Sequence, residues 1–458
     1  MSTRSAMVRA SMVAPAPLEP PSGLRATLRH LGPSFILVGS VVGSGELILT
    51  TTLGASVGFV MLWWVLLSCW GKGIVQAELG RYTVSTGETA MRAFNRLPGK
   101  LPGRRGRVSW FVWFWLASMI PTLIGGGGIY GACGQAAAQL MPIVAAARWT
   151  LILAASAALI VFFGTYERLE RWMTFSVVTV TFITLAGATC LQFTPLAVTA
   201  AELHDGLRLE FPAFAVAAAL GAYGGTGVNA SDSMAYTYWC AEKGYARHVG
   251  PPALDAAWVR RAKGWIRVMQ IDAALTLVVL TIATVPFYML GAGVLKRLGL
   301  LPSGTETIRM LSHMYTETLG PWASVVFLIG ATLILFTCMV SGLAGNAHLF
   351  SEALVLLGVV PAESEAARHK AFRAFALRAP TVMATTYFLI ANPVWMITLG
   401  GIMGALMMPV VAGATLYLRY VHVDGRIAPG PVSSGLLWLC SGAMVALGLY
   451  ASGRILWG

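Results

Sequence analysis

Charge is what this sequence has least of. Of its 458 residues only 11% are Asp, Glu, Lys or Arg, and the acids number 19. An ordinary soluble domain carries about 25%, so a water-soluble protein is excluded. No long polar block interrupts the apolar runs between residues 33 and 456, which leaves no room for a separate soluble domain and makes the chain one polytopic unit. Cysteine is sparse as well. Cys69, Cys133, Cys190, Cys240, Cys338 and Cys440 stand singly in or beside apolar stretches, without CxxC spacing; they read as small core residues. There is no GxxxxGKS/T loop and no HExxH, so neither nucleotide hydrolysis nor metal-dependent catalysis is indicated, and the chain is not expected to be an enzyme or to need a cofactor. A formal net charge of +13 invites a nucleic-acid reading. The basic residues, however, lie in short loops beside apolar spans, not on one amphipathic face, and nucleic-acid binding is excluded.

What is there is hydrophobic length. A bilayer core about 30 Å thick takes roughly 20 apolar residues per helix, and such windows fall near 33–57, 59–80, 110–140, 148–165, 172–193, 211–240, 268–294, 321–350, 374–391, 393–420 and 434–455. The expected fold is therefore an all-α membrane protein with eleven transmembrane helices. An odd number puts the termini on opposite sides. With the N-terminus inside, 25 of the 32 Lys and Arg residues fall on the cytoplasmic face, as the positive-inside rule requires; the C-terminus is then outside, in a plasma (inner) membrane. Residues 1–30 carry Arg4, Arg9, Arg25 and Arg29 among Ala, Pro and Ser. They lack the apolar centre of a secretory signal and are expected to form a disordered cytoplasmic tail before a single transporter domain, 31–458.

Two spans contain residues that a continuous helix avoids: Gly43-Ser44-Gly45 in the first and Gly224-Gly225-Thr226-Gly227 in the sixth. Each opens a block of five helices. That is the pattern of a 5+5 inverted repeat with broken helices 1 and 6, repeat one covering about 33–193, repeat two about 211–420, and an extra helix at about 434–455. Lipid satisfies neither the carbonyls nor the N–H groups that a break frees, so the breaks are expected to line a substrate cavity. The chain reads as a secondary transporter. Gly125 to Gly128 in the third span are expected merely to permit close packing.

At this point the residues resemble a known family, the natural resistance-associated macrophage protein (Nramp) divalent-metal transporters, whose fold is of the LeuT type. Gly32-Pro33-Ser34-Phe35 resembles the family's opening segment, and Gln76-Ala77-Glu78-Leu79-Gly80-Arg81 with Ser85-Thr86-Gly87 resembles the end of its second helix. Ser341-Gly342-Leu343-Ala344-Gly345 and the arginines Arg373 and Arg378 are similar to its eighth and ninth helices. The departures fall on the chemistry. Gly43 stands at the family's metal-binding Asp and Glu46 at its Asn; Ala222, Gly225, Thr226 and Gly227 stand along its helix-6 motif, with Gly225 in place of the thioether. Asp232 falls at a family His, and Thr122 and Gly125 fall where helix-3 acids are associated with proton passage. The resemblance thus implies a transporter with a harder, all-oxygen ion site and weak proton coupling.

An ionisable residue at mid-membrane is a functional-site candidate by default. Glu46 and Asp232 are the candidate metal ligands, and Ser44, Gly45, Thr226 and Asn229 complete an oxygen-rich set suited to Mg²⁺, Ca²⁺ or Mn²⁺. Lys72 is expected to pair with Glu46 or to reach toward Glu78, Asp272 to form an interface ion pair, and Arg373 and Arg378 to pair with cytoplasmic acids in a gate. Met403, Met407 and Met408 read as packing. The alternative to a metal ion is a small organic solute such as an amino acid, its carboxylate received by N–H groups of the Gly43-Ser44-Gly45 break. Lipid is the one expected macromolecular surroundings; no oligomeric state is implied.

Overall fold

The computed structural model describes residues 17–457. Residues 1–16, most of the expected tail, lie outside the described residues. The remainder of that tail has a fixed seat. Before a short α1 (Leu24–Leu28), the backbone is tied by Leu18 N donating to His248 O at 2.9 Å and by Trp265 Nε1 donating to Leu18 O at 2.8 Å.

From there the chain is almost wholly helical. α2 (Pro33–Val41) runs on through Val42–Thr50 and Thr51–Val57 and is followed by α3 (Leu62–Thr86) and the short α4 (Ala90–Phe94). A hairpin of β1 (Lys100–Gly103) and β2 (Gly106–Ser109), with Lys100 opposite Ser109, leads into α5 (Trp110–Leu140). α6 (Ala146–Phe163) and α7 (Tyr166–Leu191) follow, then the short α8 (Ala200–Asp205). α9 (Val216–Gly225) and α10 (Ala230–Lys243) divide the sixth apolar window between them. After α11 (Tyr245–Val249) come α12 (Ala256–Leu290), α13 (Thr307–Leu319), α14 (Ala323–Leu356), α15 (Glu365–Ile390), α16 (Pro393–His422) and α17 (Pro431–Trp457). Seven stretches among the described residues are long and apolar enough to cross a membrane, the first running from Pro33 to Thr86. α9 and α10 are each too short, and α15 carries Arg368, Lys370, Arg373 and Arg378. α9 and α5 pack on α16, α3 on α12, and α14 on α5.

The two expected breaks differ. The sixth is a true interruption, with Thr226 to Asn229 outside helix. The first is not unwound: Val42–Thr50 is a nine-residue π-helical stretch, the widened form often found at functional sites. The glycines serve close approach. A Cβ on Gly45 would stand 2.2 Å from the Gly225 carbonyl oxygen, and one on Gly43 2.7 Å from that of Ile334. Neighbouring backbone presses against the helix here, and it widens without opening. Gly127 and Gly128 pack as expected, against the backbone carbonyls of Met383 and Pro393; Gly125, against Gly400 of α16, and Gly126 also border a cavity.

Candidate functional site

α9 ends in free carbonyls and α10 begins in free N–H groups, and a buried peptide group without a partner is costly. Side chains from three other helices supply the partners. Lys72 of α3, fully buried, donates its ammonium to the carbonyls of Tyr223 and Thr226. Ser68, one turn earlier, reaches the same two oxygens at 3.0 and 2.9 Å. On the far edge of the break Gly227, at φ +63°, donates its N–H to Glu46 Oε1 at 3.0 Å, and Thr284 of α12 donates to that same oxygen at 3.0 Å. Thr50 and Thr226 join their hydroxyls at 2.6 Å. Asn229 caps α10 by accepting from Asp232 N at 2.8 Å.

Lys72 and Glu46 therefore hold opposite edges of one break and are not bonded to each other. Nor does Lys72 reach Glu78, which instead joins Arg81 at 3.2 Å and Arg419 at 3.5 Å in a buried cluster. The Lys72 ammonium rests where a cation would sit on the break's carbonyls, so Tyr223 and Thr226 are not open to a transported ion.

The cavity lies on the other side of α9 and α10. It holds about 130 Å³ and is lined by residues from α2, α5, α9, α10, α14, α15 and α16. Ser44, Gly225, Asn229 and Asp232 meet there; Gly43, Gly45, Glu46, Ala222 and Thr226 are not among its lining residues. Of the two expected metal ligands, Asp232 thus lines this cavity and Glu46 does not. Among the described residues no three His, Cys, Asp or Glu converge on one point, and Asp232 is the one acid lining the cavity. Its Oδ1 accepts from Ser40 Oγ at 2.9 Å, while its buried Oδ2 has no hydrogen-bond partner among the described residues.

Several lining residues were passed over in the sequence. Ser40 stands four residues before Ser44, hence on the same helix face. Cys338, read as a core residue, lines the cavity and lies 3.4 Å from the Ser44 hydroxyl. Met339, Met383, Met403 and Met407 line it too, so the expectation of a sulfur-free, all-oxygen wall does not hold: with no thioether on α9, sulfur arrives from α14, α15 and α16. Met408 is buried packing as expected. Thr122 and Gly125 also face the cavity.

Among the described residues Asp272 makes no ion pair. It caps the start of α2, accepting from Gly32 N and Ser34 N at 2.9 Å, Ser34 Oγ at 3.0 Å and Tyr236 OH at 2.8 Å. Four donors satisfy the carboxylate without a cation. Arg373 and Arg378 have no carboxylate within 4.0 Å among the described residues; Arg373 lies over the Phe162 ring, 4.9 Å from its centroid.

A membrane bundle whose cavity abuts an interrupted helix is the layout of a carrier. The chain belongs to the natural resistance-associated macrophage protein-like family, whose model matches residues 34–452, which sets it among transport proteins and not enzymes. Its fold is the expected LeuT type, shared with solved structures of low identity. A single-residue mutant of the Eremococcus coleocola manganese transporter is 13% identical over 96% of this chain and 97% of that one, with TM-score 0.52. Mhp1 in its inward-facing conformation is 13% identical over 96% and 92%, with TM-score 0.54. MhsT in complex with L-phenylalanine is 14% identical over 96% and 100%, with TM-score 0.55. No curated protein matches the chain.

Proposed function

We propose that this protein is a secondary transporter of a divalent metal cation, which passes through the cavity beside the α9–α10 break and is held there by Asp232. The observation that carries the reading is the buried, unpartnered Asp232 Oδ2 facing that cavity. A bare carboxylate oxygen in a low-dielectric site calls for a cation or a proton. Ser44 and Asn229 add oxygen donors, and Cys338 and Met339 add sulfur, a mixed set that accepts Mn²⁺ more readily than Ca²⁺. About 130 Å³ admits an ion with part of its water shell, at roughly 30 Å³ per water. Family membership and the manganese transporter of like fold support the same cargo.

In this reading the chain crosses the membrane eleven times, α9 and α10 forming one crossing, in two inverted five-helix repeats plus α17. The N-terminus is cytoplasmic and the C-terminus outside, because the Lys and Arg residues crowd one face. The organic-solute alternative is disfavoured: it needs free N–H groups at Gly43-Ser44-Gly45, and there the helix runs on unbroken from Pro33–Val41, so those groups face the preceding turn. The test is Mn²⁺ uptake into liposomes holding the purified protein. Saturable uptake that disappears in a folded Asp232→Asn variant supports the proposal; normal uptake by that variant overturns it.

A further inference from the structure

Two crevices lie on the far side of α14 from the cavity, one of about 1000 Å³ and one of about 640 Å³, and they share Phe162, His369 and Arg373. On α14 the larger is lined by Phe336, Val340 and Ala344, whereas Met339, Gly342 and Asn346 line the ion cavity. At 100° per residue these are opposite helix faces, so the crevices are separate from the transport site.

Their chemistry is divided. One wall is apolar and outward-facing: Leu159, Ile160, Phe163 and Trp172, all exposed on the outside of the bundle. The same crevices are lined by Arg168 of α7 and by Arg368, Lys370, Arg373 and Arg378 of α15. Among the described residues none of these five has a carboxylate within 4.0 Å. Of the acids at the crevice, Glu352 is already bonded to Arg92, leaving Glu242 and Glu365 against five cations. The arrangement is a cluster of unneutralised cations beside a hydrocarbon-compatible wall.

We propose that this crevice is a binding site for an anionic phospholipid, its phosphate taken by Arg373 and Arg378 and its acyl chains laid along Leu159, Ile160 and Phe163. Guanidinium groups match phosphate oxygens in pairs, and basic pockets between membrane helices hold anionic headgroups. Charge complementarity selects the anionic over the zwitterionic lipid, whose own ammonium already neutralises its phosphate. The apolar wall selects a lipid over a free anion, which would leave that wall uncovered.

The test is native mass spectrometry of the purified full chain with phosphatidylglycerol, phosphatidylcholine or inorganic phosphate added, alongside the thermal midpoint in detergent. Phosphatidylglycerol is expected to stay bound and raise the midpoint, while the other two do neither. Each basic residue at a lipid surface is worth roughly a factor of five, so Arg373→Ala with Arg378→Ala should weaken retention roughly 30-fold, and Arg373→Lys with Arg378→Lys should recover part of it. Equal retention of phosphatidylcholine, stabilisation by phosphate alone, or unchanged lipid retention in the folded double-alanine variant would each overturn the proposal. If the double variant does not fold, Phe163→Asp, on an exposed position of the apolar wall, replaces it; undiminished retention there also overturns the proposal.

Discussion

At the scale of single residues, the two buried charges at the break have structural duties. Lys72 replaces water for two carbonyls and Glu46 replaces it for one N–H. Removing one member of such a set takes a hydrogen-bond partner from buried groups, which costs about 1–3 kcal/mol. Lys72→Met should therefore lower stability by that order, read from the denaturation midpoint in detergent. Combined with Glu46→Gln it should cost less than the two single changes summed, because the groups support one feature. A wholly additive double variant would show that they act independently. An acid at a glycine break was legible in the sequence as important. Which way it turns was not, because the π-helical stretch shifts the helical phase and sends Ser44 to the cavity and Glu46 behind α9. Asp232 was legible because it lies beyond the break, on regular α-helix.

At the scale of elements, the crossing of α2 and α9 depends on the absence of a side chain. Gly45→Ala drives a methyl group into the Gly225 carbonyl and should cost about 1–3 kcal/mol, as overpacking does. Gly413→Ala is the control: it lies on α16 with nothing within 4 Å and should be neutral or stabilising. Equal thermal midpoints for the two variants would refute the crossing described. The seat of residues 17–30 is a second element with its own test. His30 and His248 both pack on the Trp265 ring, with centroids 5.0 and 4.5 Å away. Burial, then Lys243 for His30 and Arg247 for His248, pushes both histidines below their ordinary 6.5. The seated form thus binds protons less readily than the released form. Its stability is complete above about pH 6.5 and declines as pH falls below that value. Hydrogen exchange in residues 18–30, corrected for intrinsic rate, should be faster at about pH 5 than at neutrality; a pH-independent exchange pattern would contradict this. The sequence hid that seat, since Ala, Pro and Ser give no periodicity and the binding partner lies far along the chain.

At the scale of the whole molecule, composition alone carried the class: low charge, long apolar runs and one-sided basic loops leave little besides a polytopic membrane protein. The wall of the cavity was less legible, because seven helices contribute to it and no sequence window holds more than two of them. That is why Cys338 and Met407 passed as packing. The same wall has Thr122 and Gly125, neither of them ionisable, leaving Asp232 as its one carboxylate. Mn²⁺ uptake should accordingly draw little or no proton flux, followed by a pH dye inside the liposomes; substrate-dependent acidification by the wild type would contradict this. The central claim is that the cation is held by Asp232 and not by Glu46. Calorimetric titration of Mn²⁺ into the purified wild type, Asp232→Asn and Glu46→Gln tests it most directly. The account predicts binding in the wild type and in folded Glu46→Gln, and none in Asp232→Asn; binding retained by Asp232→Asn and lost in Glu46→Gln would contradict it.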